Sequence, residues 1–338
     1  MVRAFDWRDG ERLIRFGRGV AAEAVATLGG PGYLLLTTAR AEAALPAVAD
    51  AAAGVHHVPS GGVPELAAAA LEWAHAAELP PVAAAPHAWA RPHGARIAAL
   101  GGGRVIDVTK ALAAAAGPPV RAAAIPTTLS AAEMSHGHRH ARGVDASTPN
   151  VRPAIVINDP DLSASQPEPE LAASAANSLA HAVEGAVTVN ASPVPVLAAG
   201  EAVRLTRAAY ADTSPDHEAL ALAALLSGYT IDHSGLGLHH IVCQTIVRVA
   251  GSGHGPTNAA MLPHTIGALR RRNPATIDAT DLARELARRA GAERLRAIGV
   301  AEDLLDEVAM TAAQRPQLAV TPPPADAAEI RELLRAAW

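Results

Sequence analysis

Over the first 160 residues, short apolar runs alternate with alanine-rich helical patterns, and this alternation constrains the fold more than any other feature. "GYLLLTT" (Gly32 to Thr38) reads as a buried strand, and an alanine-rich helix follows it as far as Asp50. "GVHHVP" (Gly54 to Pro59) is the next strand and "VPELAAAALEWAHAA" the next helix. "RIAALGGG" (Arg96 to Gly103) is a strand that runs into glycines, with "VIDVTKALAAAA" as the helix after it. "VRAAAIPTT" (Val120 to Thr128) and "PAIVIND" (Pro153 to Asp159) are further strands. Strands alternating with helices of this length predict a parallel sheet covered on both faces. Beyond Pro160 strand-like runs almost vanish. Long alanine- and leucine-rich helical patterns take their place, punctuated at Pro193, Pro195, Pro215 and Pro256. The expected organisation is a Rossmann-like parallel α/β domain over residues 1–160 and an all-helical domain over 161–338, with the cleft between them as the default place for a ligand.

Half of the chain is hydrophobic but only 3% is aromatic, so alanine fills much of the core and tight helix packing must compensate for its small buried area. A net charge of −5 leaves no electrostatic footprint for nucleic acid, and no run of lysine or arginine marks a membrane surface. The single cysteine, Cys243, excludes an intramolecular disulfide framework and fits a reducing cytoplasm. The N-terminal "MVRAFDWRDGERLIRF" lacks the apolar core of a signal peptide, and no stretch reaches the ~18 uninterrupted apolar residues of a membrane span. The expectation is a soluble cytoplasmic protein with neither nucleic acid nor membrane as a partner.

Two strand ends carry candidate chemistry. "ALGGGRVIDVTKA" (Ala99 to Ala111) sets three contiguous glycines between a strand and a helix. Glycines there let the backbone approach a phosphate, and free amides at a helix start favour its charge. The same residues equally suit a plain tight turn, since they make neither a GxGxxG nor a Walker motif. "AIPTTLSAAEMS" (Ala124 to Ser135) places hydroxyls just past another strand, where open parallel sheets bind ligands. Helix capping by Thr127 and Thr128 is the alternative.

Histidines supply the other constellation. In "NSLAHAVEG" (Asn177 to Gly185), Asn177 and His181 share a helix face, with Glu184 one turn further along. "LGLHHIVCQTIVRVAGSGHGP" (Leu236 to Pro256) adds His239, His240 and His254, the last in a glycine-rich turn after a helix. An oxygen ligand and three imidazoles suit a divalent transition metal. With 15 histidines in the chain, solvated or core-bonded rings are the other reading of this spacing.

Taken in order, "GGGRVIDVTKA", "AIPTTLSAAEMS", "NSLAHAVEG", "GLHHIVCQ" and "GHGPTNAAMLPH" resemble the iron-containing alcohol dehydrogenase and dehydroquinate synthase superfamily, and within it the maleylacetate reductases. "EMS" (Glu133 to Ser135) is similar to their SEMT motif and "GLHHIVC" to GLHHKLCH, while Asn177 stands where the alcohol dehydrogenases carry a metal-binding aspartate. The C-terminal "LRAIGVAEDLLDEVA" and "IRELLRAAW" are similar as well. The resemblance implies a dehydroquinate synthase-like fold and an oxidoreductase that uses NADH or NADPH. It implies Gly101, Gly102 and Gly103 at the cofactor pyrophosphate, and Thr127 and Thr128 along the nicotinamide nucleotide. Thr37, Thr38 and Asp107 are added as cofactor-binding candidates, the two threonines standing where an acid for the ribose hydroxyls would be expected. Asn177, His181, His240 and His254 fall on the four metal positions. With a neutral amide in place of the carboxylate, a divalent iron or zinc ion would be held weakly or not at all. His181, His239, His240 and His254 are then the candidate proton donors. The expected partners are a small acidic substrate and a second copy of the chain.

Several residues depart from the family pattern. Arg104 replaces a serine after the glycines, and "TTLSAAEMS" lacks the glycine and serine of TTYAGSEMT. Gln244 replaces the second histidine of an HxxxH-like stretch. The segment Ser135 to Val151 lacks the family's lysine, and "AAQRPQLAVTPPP" replaces a tyrosine- and asparagine-containing loop. The leading expectation is an NAD(P)H-dependent reductase of a small unsaturated or carbonyl acid. The alternatives are a non-redox lyase, cyclase or isomerase, or a ligand-binding paralogue on the same scaffold.

Overall fold

The computed structural model describes residues 4–76, 97–118 and 120–338. Ala77 and Arg96, which the sequence pattern places at a helix end and a strand start, lie outside the described residues. The chain divides into two compact units, Met1–Ser165 and Gln166–Trp338.

The first unit is built on a seven-stranded sheet in the order β1-β2-β7-β6-β5-β3-β4. Its strands are β1 (Phe5–Asp9), β2 (Arg12–Phe16), β3 (Leu34–Thr37), β4 (Gly54–His57), β5 (Ile97–Gly101), β6 (Ala122–Pro126) and β7 (Ile155–Asn158). All neighbouring pairs are parallel except β1 and β2. The hairpin corrects the expectation of a wholly parallel sheet. Gly10 opens its two-residue turn at φ +61°, and Ile14 and Phe16 are fully buried while Arg15 between them is only half-buried. That period-2 alternation is present in "RLIRF", but the surrounding charge masks it.

The unit's helices are α1 (Ala24–Thr27), α2 (Ala39–Ala44), α3 (Pro46–Asp50), α4 (Val63–Ala76), α5 (Gly103–Ala116) and α6 (Pro160–Ser163). Pro46 divides what the sequence suggests is one helix into α2 and α3, because it can start a helix but not continue one. The two faces of the sheet are read directly from β5. Ile97 and Ala99 join one apolar cluster with Val105, Ile106 and Leu112 of α5, while Ala98 and Leu100 join another with Leu28, Tyr33 and Val48. Both faces are covered, so the central strands are buried at every position and β5 and β6 carry only apolar residues.

The second unit contains α7 (Glu168–Gly185), α8 (Pro193–Ala209), α9 (His217–Ser234), α10 (Leu238–Ala250), α11 (His254–Arg272), α12 (Thr280–Arg289), α13 (Leu305–Ala313) and α14 (Ala327–Ala337), with no strand among its described residues. Pro193, Pro195 and Pro256 all lie in first turns, where a missing amide hydrogen costs nothing. The helix α7 is buried along most of its length and packs against α8, α9, α11 and α12. Its alanines let those helices approach closely. No helix of the described residues is long and apolar enough to cross a membrane.

Candidate active site

In the first unit, Gly101 ends β5 and Gly102 occupies the N-cap of α5 in an extended conformation with no side-chain cap. The opening amides of α5 therefore have no capping side chain and face a potential anion. A Cβ at Gly102 would lie 2.9 Å from Thr128 Cγ2, and one at Gly103 would lie 2.9 Å from Ser130 Oγ. These contacts show that the loop after β6 lies directly on the glycine turn. The amide of Thr127 donates to Gly101 O at 3.0 Å, and the buried hydroxyl of Thr128 has no hydrogen-bond partner. This arrangement fits a dinucleotide phosphate: uncapped amides, a free hydroxyl, and Arg104 exposed in the first turn.

The two threonines after β3 have local roles. Thr37 is fully buried and donates to Leu100 O at 2.8 Å, tying β3 to β5, while Thr38 caps α2 by accepting from the Ala41 amide. Asp107 lies 2.8 Å from Lys110 Nζ.

Lys110, which is not among the candidate residues of the sequence, lies at the centre of the loop after β6. Its side chain is wholly buried, and its ammonium donates to the carbonyls of Ala132, Ser135 and Gly137 at 3.0, 3.1 and 2.9 Å. A lysine from α5 thus holds the start of the segment that lacks the family's own. Arg12 clamps the same loop from β2, donating to Glu133 O and Pro153 O at 3.1 and 2.9 Å. Between these two cations the Glu133 carboxyl is fully buried with neither oxygen hydrogen-bonded, and burial pushes it up to about 7. Within this loop Ala131 has φ +62°, the left-handed conformation that suits the glycine of the family pattern.

In the second unit, Asn177, His181 and Glu184 lie buried on α7. Glu184 is the second residue the site assignment missed. Its Oε1 accepts from the His239 amide at 2.5 Å, and its Oε2 lies 2.7 Å from His240 Nδ1. Burial pushes the Glu184 carboxyl above its ordinary value, against the lowering effects of His239 and of the amides of Gly237, His239 and His240. The carboxyl thus serves as the missing cap of α10. A Cβ at Gly237 would sit 2.6 Å from Thr321 Cγ2 and 3.2 Å from Glu184 Oε1, so glycine is required for this approach.

His181 stacks on His240, with ring centroids 4.5 Å apart and planes 16° apart. Burial, and then the neighbouring His254, holds His240 down at about 3. Burial and the surrounding imidazoles hold His181 well below the ordinary value. His181 Nδ1 and His240 Nε2 are buried without a hydrogen-bond partner. His254 is exposed as the first residue of α11 rather than part of a glycine turn, because the helix begins at that residue.

His239, one of the four candidate proton donors, has both ring nitrogens engaged within the protein. Its Nδ1 bonds Thr265 Oγ1 at 2.7 Å and its Nε2 bonds Asn258 Oδ1 at 2.9 Å, leaving no ring nitrogen for a substrate. Burial, foremost among several causes, brings it to about 3. Its role is to bind α10 to α11.

A resident divalent metal does not fit the residues at the four family positions. An amide stands where an anionic donor would, His254 is exposed at a helix start, and among the described residues no three His, Cys, Asp or Glu side chains group as a cage.

Residues 171–287 match the pattern of the Fe-containing alcohol dehydrogenase family, C-terminal. Maleylacetate reductase 1 of Rhodococcus opacus is 31% identical over 262 residues, which is 72% of this chain and 72% of that protein. The matches to several other maleylacetate reductases span about half of each relative's length. The crystal structure of maleylacetate reductase from Agrobacterium tumefaciens aligns with TM-score 0.78 and 26% identity, covering 100% of this chain and 99% of that one. The enzyme of the same name from Rhizobium sp. aligns with TM-score 0.77 and 25% identity over 100% and 99%. With a relative matched across most of both sequences and folds matched end to end, the chain belongs to the iron-containing alcohol dehydrogenase superfamily, alongside the maleylacetate reductases.

Proposed function

We propose that this chain is an NAD(P)H-dependent reductase of a small unsaturated or carbonyl acid, acting like a maleylacetate reductase. Residues 1–160 serve as the nucleotide-binding part and 161–338 as the substrate part. The amides of Gly101, Gly102 and Gly103 hold the pyrophosphate of NADH or NADPH at the start of α5, with the Thr127 and Thr128 hydroxyls beside the nucleotide. When bound, the reduced nicotinamide supplies hydride.

The proton comes from the chain, and the Glu184–His240 pair is the observation that carries this reading. With the bridging proton on Glu184, His240 Nε2 bears a hydrogen that it donates. As Nε2 gives up that hydrogen, the bridging proton moves from Oε2 to Nδ1. A neutral imidazole is left against a carboxylate held by the first amides of α10. His181 covers one face of this ring and limits its rotation. Operation in the cytoplasm is consistent with one buried cysteine, and a homodimer with the exposed apolar residues Val189, Val194 and Leu197.

The test is a nicotinamide titration followed by turnover. NADH or NADPH fluorescence should change on binding, and reduced-cofactor absorbance should fall when maleylacetate is added. Gly102→Val should abolish the binding signal while circular dichroism stays the same. A wild-type protein that binds neither cofactor would overturn the proposal.

A further inference from the structure

Two departures from the family pattern touch one another. Gln244, one turn beyond His240 on α10, accepts a hydrogen bond from Arg315 Nη2 at 3.0 Å. Arg315 starts the 3-10 turn Pro316–Val320, and the residue after that turn, Thr321, accepts from the Leu238 amide at 3.2 Å. The segment is therefore pinned along α10 at two points that bracket His240.

His240, Gln244 and Arg248 form a stripe at i, i+4 and i+8, passing from buried to half-buried to exposed. Successive members are about 6 Å apart along the helix axis. Arg315 and Arg248 lie close enough to repel, and Arg315 is shifted down first by burial and then by Arg248.

Partly buried arginines elsewhere in this protein meet carboxylates: Arg12 with Asp9, Arg15 with Asp6 and Glu23, Arg272 with Glu329, and Arg289 with Glu285 and Glu168. Among the described residues Arg315 meets only an amide, and Arg248 has no carboxylate partner. A surface guanidinium resting on glutamine would be unremarkable if it stood alone. Two neighbouring guanidiniums kept without an acid, beside a stripe that leads to His240, call for an anion from outside.

We propose that Arg315, oriented by Gln244 and assisted by Arg248, is a carboxylate-binding site that selects an acidic substrate and sets its reacting carbon one helical turn away, at His240. The amide occupies one of five guanidinium N–H groups, so the rest of the fork is free for bidentate recognition. Glutamine suits this task because it positions the arginine without neutralising it. The favoured ligand is a small acid with a carboxylate about one helical turn from the carbon that receives the proton. The inference rests on the reductase reading for the role of His240, but not for the anion site itself.

Arg315→Met and Gln244→Glu, the latter giving the arginine an internal carboxylate, are compared with wild type by steady-state kinetics with NADH and maleylacetate. In both variants the KM for maleylacetate should rise on the order of 10- to 100-fold, with the KM for NADH unchanged. Arg315→Lys should retain part of the affinity. Calorimetric titration with succinate tests the site without turnover: wild type should bind it, and both variants should lose it at equal melting temperature. Succinate binding that depends on Arg315, in a protein that does not turn over maleylacetate, would sustain this site and defeat the reductase reading. An unchanged KM in both variants, or the absence of Arg315-dependent succinate binding, would overturn the site.

Discussion

Glu184 on α7 and His240 on α10 are joined at 2.7 Å within a region where both side chains are almost wholly excluded from water. The carboxyl also caps α10, so one group fixes both the helix start and the imidazole.

His240→Ala should reduce turnover by ~10²- to 10⁴-fold, the usual worth of a positioned acid–base group. Glu184→Gln keeps an oxygen for the α10 amides but cannot relay a proton to Nδ1. It should lower kcat with little change in substrate KM. Glu184→Ala strands buried donors at about 1–3 kcal/mol each and should lower the melting temperature as well. Stopped-flow assays and thermal melts separate these outcomes, and full activity in His240→Ala would exclude the relay.

Ala131 holds a left-handed conformation that costs a residue with a Cβ about 1–2 kcal/mol. Ala131→Gly should therefore stabilise the protein by up to about 1 kcal/mol, after the greater flexibility of glycine in the unfolded chain is offset. Urea denaturation of the two proteins measures the difference. A destabilised variant would show that the loop does not need this geometry.

Glu133 gives a pH signature. Its folded-state value of about 7 lies above the ordinary 4.5, so the folded state holds the proton more tightly. Stability is unpenalised below the lower value and declines as pH rises through the higher one, by on the order of 3 kcal/mol in all. Glu133→Gln removes the titrating group, so the gap between variant and wild type should shift in the variant's favour from pH 4 to pH 8. Chemical denaturation at both values reads this shift, and a gap independent of pH would contradict the buried, unpartnered carboxyl.

Metal retention should follow charge at position 177. Elemental analysis of protein purified without chelator is expected to give well under one zinc or iron per chain. Asn177→Asp, which supplies an anionic donor one helical turn before His181, should raise that occupancy towards one. A tightly held ion in wild type would show that an amide suffices.

What the sequence determined by itself was the period of each element and the order of the motifs. Strands β3, β5, β6 and β7 were legible because strands covered on both faces are buried and mostly apolar at successive positions, and the glycine turn because it follows one of them directly. The β1–β2 hairpin was obscured by charged residues, although its alternation was there to read. Neither Lys110 nor Glu184 could be assigned from its neighbours, since the carbonyls and amides that engage them come from elsewhere in the fold. Gln244 and Arg315 were each visible only as a separate departure; their hydrogen bond joins positions 71 residues apart. His239 and His240 show most clearly what tertiary structure decided. Identical and adjacent, they differ by about 100° around α10. That rotation turns one ring into Asn258 and Thr265, where both nitrogens are bonded. It turns the other towards Glu184 with Nε2 left open, because a side chain's chemistry depends on the groups that packing brings to it.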